Sequence, residues 1–413
     1  MKAKTTAGKA GETYIERELE GRLEPYLKRR EIIAIVGARQ CGKTTLMKRL
    51  FGRMNNAKFI SFEDRDTLQL FSGEPKVFAR KFVEGTDTLF IDEFQYAKDG
   101  GKNLKFLYDT YGTKFIISGS SVSELSVHGI RYLVGRILVF TLFPLSFAEY
   151  LRYRDPSLYG SNGKSPVAVR LLTQHYKDYV TYGGYPAVVL AETTEEKREL
   201  LRNVVNTYLL REVKEILQIA DDARVSALIK ALALQVGGVA SYQELSSLTG
   251  FPYAELMRYL TILKKTFVCL ESRPFFTNRR KELVKAPRFY FVDCGFRNST
   301  IQSFGELEER PDRGQLNENF VATELAYKGY ELRYWRTKTG AEVDFVIEKE
   351  GRPIPVEVKT TLREARYTRA FRNFVTTYRP QEGIIVSSLL LEKKRLDATT
   401  INFVPFPAFS LLV

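Results

Sequence analysis

The chain has 413 residues, 44% of them apolar, enough for two to four domains with real cores, which excludes a disordered chain and a small stapled scaffold. Its 63 Lys and Arg exceed its 49 Asp and Glu by 14, favouring polyanionic partners such as nucleotide or nucleic acid without specifying a fold. Three scattered cysteines (Cys41, Cys269, Cys294) and two histidines (His128, His175) cannot build a disulfide framework or a cysteine-type zinc site, so a reducing, cytoplasmic compartment is expected. The first residues, MKAKTTAGKAGETYIERELE, lack the apolar core of a signal peptide. The most apolar stretch, Ile137 to Phe147, carries Thr141 and Pro144 and is far short of the roughly 20 residues of a spanning helix, so no membrane partner is expected.

Residues Glu31 to Val36 are an apolar run of strand length ending at Gly37, and Leu46 to Leu50 has helical spacing. Between them stands Gly37-Ala38-Arg39-Gln40-Cys41-Gly42-Lys43-Thr44-Thr45, a G-x-x-x-x-G-K-[ST] pattern. Its glycines let backbone N–H groups converge on phosphate oxygens at a positive helix N-terminus. Lys43 is placed to neutralise the β and γ phosphates of ATP, and the Thr44 hydroxyl to ligate Mg²⁺. Cys41 reads as a small packing residue, with redox sensitivity the alternative. A second apolar strand, Thr88-Leu89-Phe90-Ile91, closes on Asp92-Glu93. A buried parallel strand delivers such acids to its C-terminal edge, with Asp92 holding the magnesium through water and Glu93 polarising the attacking water. The third strand, Lys114 to Ser121, offers Ser120 as γ-phosphate sensor and Ser118 as second choice, against a plain Ser/Gly turn.

These segments, with Gly135-Arg136, Phe143-Pro144-Leu145-Ser146-Phe147, Glu149-Tyr150 and Tyr182-Gly183-Gly184-Tyr185-Pro186, resemble a prokaryotic family of AAA-type P-loop ATPases joined to a C-terminal domain of unknown function with a restriction-endonuclease-like core. The resemblance implies a doubly wound parallel sheet with a helical lid, and ATP as ligand. It makes Arg136 a candidate phosphate-reaching arginine, acting in its own chain or on a neighbouring subunit of a homo-oligomer; a salt-bridging surface arginine is the alternative.

Ser165 to about Ala220 is charged and helix-patterned and reads as lid and connector. Beyond it, Val225 to Val236 forms a helix stopped by Gly237-Gly238, Ser241 to Leu248 a second helix opened by the capping-box pair Ser241 and Glu244, and Tyr253 to about Lys265 a third after Thr249-Gly250-Phe251-Pro252. That order is a helix-turn-helix, and strands over 267–271 and 288–292 around a basic loop complete a winged helix. Between Arg258 and Arg288 stand nine basic residues (Arg258, Lys264, Lys265, Arg273, Arg279, Arg280, Lys281, Lys285, Arg288) against Glu271 and Glu282, a match for a groove-reading helix with a phosphate-gripping wing on DNA. A protein-binding module is the alternative.

Farther on, Ala341 to Glu348 and Pro353 to Lys359 read as a hairpin whose turn, centred between Glu350 and Gly351, sets Asp344 opposite Glu357, Phe345 opposite Val356 and Ile347 opposite Ile354. One face is expected to be apolar and the other to gather Glu342, Asp344, Glu357 and Lys359. Opposed carboxylates repel unless a cation lies between them, and hard oxygen ligands suit Mg²⁺ or Mn²⁺. The pattern resembles the PD-(D/E)XK nuclease core, which implies Asp344 and Glu357 as metal ligands, Lys359 as their partner, and a further Glu on a preceding helix, Glu318 first and Glu324 second. Similar triplets at Glu212-Val213-Lys214, Glu195-Glu196-Lys197 and Glu392-Lys393-Lys394 lack the opposed Asp.

The expected architecture is a multidomain α/β chain: an ATPase core over 1–160, lid and connector over 161–220, a winged helix-turn-helix over 221–292 and a PD-(D/E)XK nuclease-like domain over 293–413. The expected function is Mg²⁺-dependent ATP hydrolysis by Lys43, Glu93 and their neighbours, with DNA engaged by the two C-terminal modules. The alternative is an ATP-gated switch or scaffold whose nuclease-like domain binds without cutting. A small-molecule kinase shares the phosphate loop but explains neither C-terminal module.

Overall fold

The computed structural model describes residues 13–120, 130–160, 166–207, 222–276 and 285–412, and the chain divides into two compact units, Met1–Leu142 and Phe143–Val413. No helix among the described residues is long and apolar enough to cross a membrane.

The first unit is built on five parallel strands, β1 (Ile32–Val36), β2 (Ala57–Ser61), β3 (Thr88–Asp92), β4 (Lys114–Gly119) and β5 (Ile137–Thr141), in the order β2-β3-β4-β1-β5. The three inner strands are buried at every position, as the unbroken apolar runs of a covered parallel sheet require, whereas β2 and β5 at the edges are half-buried or more open. Among the described residues, five α-helices accompany the sheet: α1 (Glu18–Leu27), α2 (Lys43–Phe51), α3 (Arg65–Gly73), α4 (Pro75–Phe82) and α5 (Gly100–Thr110). Phe62, Phe71, Phe78 and Phe94 are buried and pack ring on ring, with centroids 4.8 to 5.9 Å apart. Fixing Phe94 in that cluster forces the chain to turn at once after β3, and Glu93 takes up a left-handed φ of 55°.

The second unit opens with helices Phe147–Arg154, Pro156–Tyr159, Pro166–Tyr182, Pro186–Leu190 and Thr194–Thr207. Ser146 and Glu149 form a reciprocal capping box at its first helix, which accounts for that Ser-x-x-Glu signature. The Gly183-Gly184 pair marks a close crossing of three segments. The Leu145 N–H donates to the Gly184 carbonyl at 2.7 Å, a Cβ on Gly184 would meet the Leu145 carbonyl at 2.1 Å, and the buried Asp293 carboxylate accepts from the N–H groups of Gly184 and Phe296, each at 2.7 Å.

The three helices expected next are present as Asp222–Leu234, Tyr242–Thr249 and Tyr253–Lys265, followed by the antiparallel pair β6 (Cys269–Pro274) and β7 (Arg288–Phe291). Ser241 caps its helix by accepting from Glu244 N–H at 3.2 Å, but the Glu244 carboxylate turns to Gln235, so half of the expected box forms. Phe267 lies in a left-handed turn with φ 61°, so β6 starts two residues later than the sequence pattern suggests.

After helices Cys294–Thr300 and Arg313–Tyr327 come β8 (Arg333–Arg336), β9 (Glu342–Lys349), β10 (Arg352–Lys359), helix Arg369–Tyr378, β11 (Glu382–Ser387), β12 (Glu392–Leu396), β13 (Thr399–Pro405) and helix Phe406–Leu412. The hairpin has the expected register, with Ile354 beside Ile347 and Val356 beside Phe345. Its turn residues Glu350 and Gly351 both have positive φ, 52° and 75°, the twist that a two-residue hairpin loop needs. The expected boundaries at 160 and 292 differ from the observed divisions. Residues 143–160 pack within the second unit, and β6 hydrogen-bonds in parallel to β8, so β6–β7 and β8–β13 make one eight-stranded sheet, β12-β13-β11-β10-β9-β8-β6-β7.

Burial pushes the Asp293 carboxyl up to about 6, against the pull of its N–H donors. A folded value above the unfolded one contributes stability that is present below pH ~4 and lost as pH rises through 6. Between pH 5 and 7 this group is expected to cost the second unit roughly 1 kcal/mol. Urea unfolding across that range should show a flatter profile for Asp293→Asn than for the unmodified chain; equal slopes would refute the assignment.

Candidate functional site

The phosphate loop of the first unit leaves β1 at Gly37, where a Cβ would meet the Leu142 carbonyl oxygen at 2.0 Å, so only glycine fits. It enters α2 at Gly42, whose φ of 97° suits glycine and whose lack of a side chain leaves the helix without a side-chain cap. The first N–H groups of a helix have no intrahelical acceptor, so an uncapped start at a glycine is a ready anion site. Lys43 is buried, and its Nζ donates to the carbonyl oxygens of Gly37 and Ala38, each at 2.9 Å, which holds the ammonium over the loop. The Cys41 thiol is fully buried and donates to Leu142 O at 3.3 Å; burial pushes its pKa up, the behaviour of a packing thiol.

Asp92 and Glu93 stand at the C-terminal end of β3. The Thr44 hydroxyl donates to Asp92 Oδ2 at 2.7 Å, and the Ser118 hydroxyl donates to Asp92 Oδ1. Ser118 Oγ also accepts from Glu93 N–H at 3.1 Å, and the Glu93 carboxylate accepts from Gln95 Nε2. A hydroxyl and a carboxylate side by side at an anion-binding helix start are the hard oxygen donors that Mg²⁺ on a nucleotide requires, so these residues fit that group. Ser118, the second choice from sequence, is thus the serine in contact with both acids. Ser120 is buried just beyond β4, and Ser121 lies outside the described residues.

Arg136 is placed differently from the expectation for its own chain. Strands β1 and β5 run parallel with Ile32 beside Ile137 and Val36 beside Thr141, so Arg136 lies at the sheet edge away from the loop, roughly 15 Å along a five-residue strand. There it pairs with Asp109 at 2.9 Å, with both side chains partly exposed, which is the arrangement of the alternative reading, a salt-bridging surface arginine. A residue that sequence reasoning missed is Arg17, buried ahead of α1, whose Nη1 donates to the Cys41 carbonyl at 2.7 Å. It stands 24 residues before that carbonyl, outside any motif spacing.

In the second unit the basic window is partly spent internally. Lys264 and Arg273 both hold Glu271, at 2.7 and 2.9 Å, and Arg288 is buried against Glu318 and Glu342. Arg279, Arg280 and Lys281 lie outside the described residues, while Arg258, Lys265 and Lys285 are exposed. Ala254, Arg258, Thr261 and Lys265 recur at helical spacing and are all exposed, giving helix Tyr253–Lys265 one open stripe with two cations.

The acids of β9 and β10 come to the same region but not as a ligand set. The ladder ends at Val356 and Phe345, one step before Asp344 and Glu357 would face each other, and Asp344 Oδ2 instead accepts from Val358 N–H at 2.7 Å. Glu357 accepts from Thr368 Oγ1 at 2.8 Å and pairs with Lys359 Nζ at 2.8 Å. Glu318 accepts from the Tyr290 hydroxyl and lies 3.4 Å from Arg288, while Arg288 also pairs with Glu342. Burial, with Asp344 adding to it, raises the Glu318 pKa; burial raises that of Asp344. Glu324 is elsewhere, accepting from Phe147 N–H at 3.0 Å to cap that helix. Among the described residues no group of three or more His, Cys, Asp or Glu is arranged to hold a metal ion, so the expected Mg²⁺ or Mn²⁺ set of Glu318, Asp344 and Glu357 does not fit this arrangement.

Two substitutions test the ATP-site geometry. Ser118→Ala should lower kcat about 10- to 100-fold with little change in nucleotide affinity, because it frees Asp92 and Glu93 from their shared hydroxyl. Arg17→Ala should weaken ATP binding by about tenfold, measured by calorimetry, through a looser phosphate loop.

Residues 29–151 match the model of the AAA domain family, and residues 173–306 and 313–409 match two domains of unknown function, DUF8612 and DUF4143. An uncharacterized protein of Haemophilus influenzae is 22% identical over 95% of this chain and 96% of its own length. An uncharacterized protein of Mycobacterium tuberculosis is 27% identical over 84% of this chain and 74% of its own. A solved structure, the Walker-type ATPase of Pyrococcus abyssi, superposes with a TM-score of 0.45 at 16% identity, covering 70% of this chain and 96% of that one. The phosphate loop, the acids of β3 and the match over 29–151 together make the N-terminal part of this chain an AAA-type P-loop ATPase domain.

Proposed function

We propose that the protein binds ATP with Mg²⁺ and hydrolyses it at the first-unit site, and that it engages DNA through a winged helix formed by Asp222–Leu234, Tyr242–Thr249, Tyr253–Lys265 and the β6–β7 pair. The observation that carries the hydrolytic reading is Asp92, bonded at once to Thr44 of the phosphate loop and to Ser118 of β4. In this reading Lys43 leaves its loop carbonyls to neutralise the β and γ phosphates, the N–H groups at the start of α2 hold phosphate oxygens, and Thr44 and Asp92 hold the magnesium. Bound Mg²⁺ supplies charge neutralisation as the phosphoryl group departs. Glu93, with its backbone fixed by Ser118 and its carboxylate by Gln95, orients the attacking water.

Support for DNA as partner is narrower than the net charge suggests, since three of the window's basic residues are engaged internally. It rests on the exposed stripe of Arg258, Thr261 and Lys265 on the third helix, the element a helix-turn-helix sets in a groove. The arrangement of β8 to β13 with its acid cluster supports a nuclease-like fold for the C-terminal sheet.

Lys43→Ala is expected to abolish phosphate release, and Glu93→Gln to abolish it while ATP still binds; full turnover in either would overturn the hydrolytic reading. Arg258→Glu with Lys265→Glu should weaken duplex binding at least about tenfold and reduce the slope of log affinity against log salt by about 2. Unchanged affinity and slope would remove DNA from this helix.

A further inference from the structure

We propose that Arg288 is an internal replacement for the metal ion of a nuclease-like site, so that the C-terminal acid cluster is a structural clasp and cuts no nucleic acid. This inference rests on the nuclease-like reading of β8 to β13 and is independent of the ATPase reading.

Arg288 sits on β7 with its side chain 4% exposed. Its guanidinium bridges Glu318 of helix Arg313–Tyr327 and Glu342 at the start of β9, and it stacks over the Tyr334 ring of β8 at 4.5 Å. Two residues along β7, Tyr290 donates its hydroxyl to the same Glu318 carboxylate. Alternate residues of one strand therefore grip one acid from the helix. A metal answers the repulsion among clustered carboxylates by lying between them, and here a buried cation of the chain lies between two of them. Of the other two, Asp344 accepts from the Val358 N–H and Glu357 is held by Lys359 and Thr368, with the Lys359 ammonium attracting Asp344 as well. Three cations, Arg288, Lys359 and Arg336, which lies 3.6 Å from Glu342, meet the four acids Glu318, Glu342, Asp344 and Glu357. A divalent ion entering this cluster would face a fixed guanidinium of like charge beside its ligands. Displacing that guanidinium would leave it buried without its acids, a costly state.

The geometry also gives the clasp a job. It ties the β6–β7 pair, which follows helix Tyr253–Lys265 in sequence, to helix Arg313–Tyr327 and to β9 through the carboxylates of Glu318 and Glu342.

The test uses the full, nucleotide-free chain and Mn²⁺ alone, with bound ion counted by electron paramagnetic resonance and nicking of supercoiled DNA followed in parallel. The unmodified chain and Asp344→Asn should take up the same amount of Mn²⁺ and neither should nick. Arg288→Gln should gain Mn²⁺ affinity by about tenfold, and adding Asp344→Asn should remove that gain. Mn²⁺ uptake or nicking by the unmodified chain that Asp344→Asn abolishes would overturn the proposal, and this comparison decides even where Arg288→Gln fails to fold. A folded Arg288→Gln with no gain would equally refute Arg288 as the replacing cation. Unaltered phosphate release from ATP in Asp344→Asn keeps either result separate from the ATPase reading.

Discussion

One carboxylate divided between two hydroxyls organises the first unit. Asp92 takes a hydrogen bond from Thr44, on the helix that follows β1, and another from Ser118, on β4. That division requires β4 to lie between β1 and β3, the observed strand order, with Ser118 beside Ile35 on one side and the end of β3 on the other. The phosphate loop and Glu93, the proposed water-orienting acid, are therefore positioned by the sheet rather than by flexible connections, and the geometry of the proposed site inherits the stiffness of a buried parallel core.

The second unit obeys a different constraint, close backbone approach. Gly184 and Gly295 sit where a Cβ would meet the carbonyl oxygens of Leu145 and Tyr182 at 2.1 and 2.0 Å. Such contacts leave backbone groups facing each other away from water, and the buried Asp293 carboxylate supplies the acceptors they need. In the motifs around Phe143 to Tyr150 and Tyr182 to Pro186, Ser146 and Glu149 form the capping box and Leu145, Gly183 and Gly184 form the crossing, so these residues have a structural account.

What the sequence revealed, and what it withheld, follows from the range of each interaction. The phosphate loop, the acids ending β3, the Ser241 cap and the hairpin register are each set within a few neighbouring residues, and spacing alone predicts them. Arg17 and Arg288 act on partners 24 and 30 residues away, chosen by packing. No local pattern distinguishes Arg288 from the basic residues near it, although alternation in Arg288-Phe289-Tyr290 was a signal that positions 288 and 290 share a face. The register likewise led correctly up to Val356 and Phe345, then failed to foresee that the strands part at the next pair, because a backbone N–H claims Asp344. Arg136 was misplaced for its own chain because position in sequence after β4 does not say which end of β5 comes first to the loop.

The shared sheet of the second unit has a consequence for dissecting the protein. The two family matches that fall there end and begin at 306 and 313, which invites cutting the chain between them. Yet β6 reaches across that gap to pair with β8 at Arg273 and Pro274. A fragment ending near 306 would present β6 as a naked strand edge, open to pairing with another copy, and would strip Arg288 of both acids that balance it. Aggregation of such a fragment would reflect a severed sheet, and the piece that keeps β6 paired with β8 is the whole span from Phe143 onward.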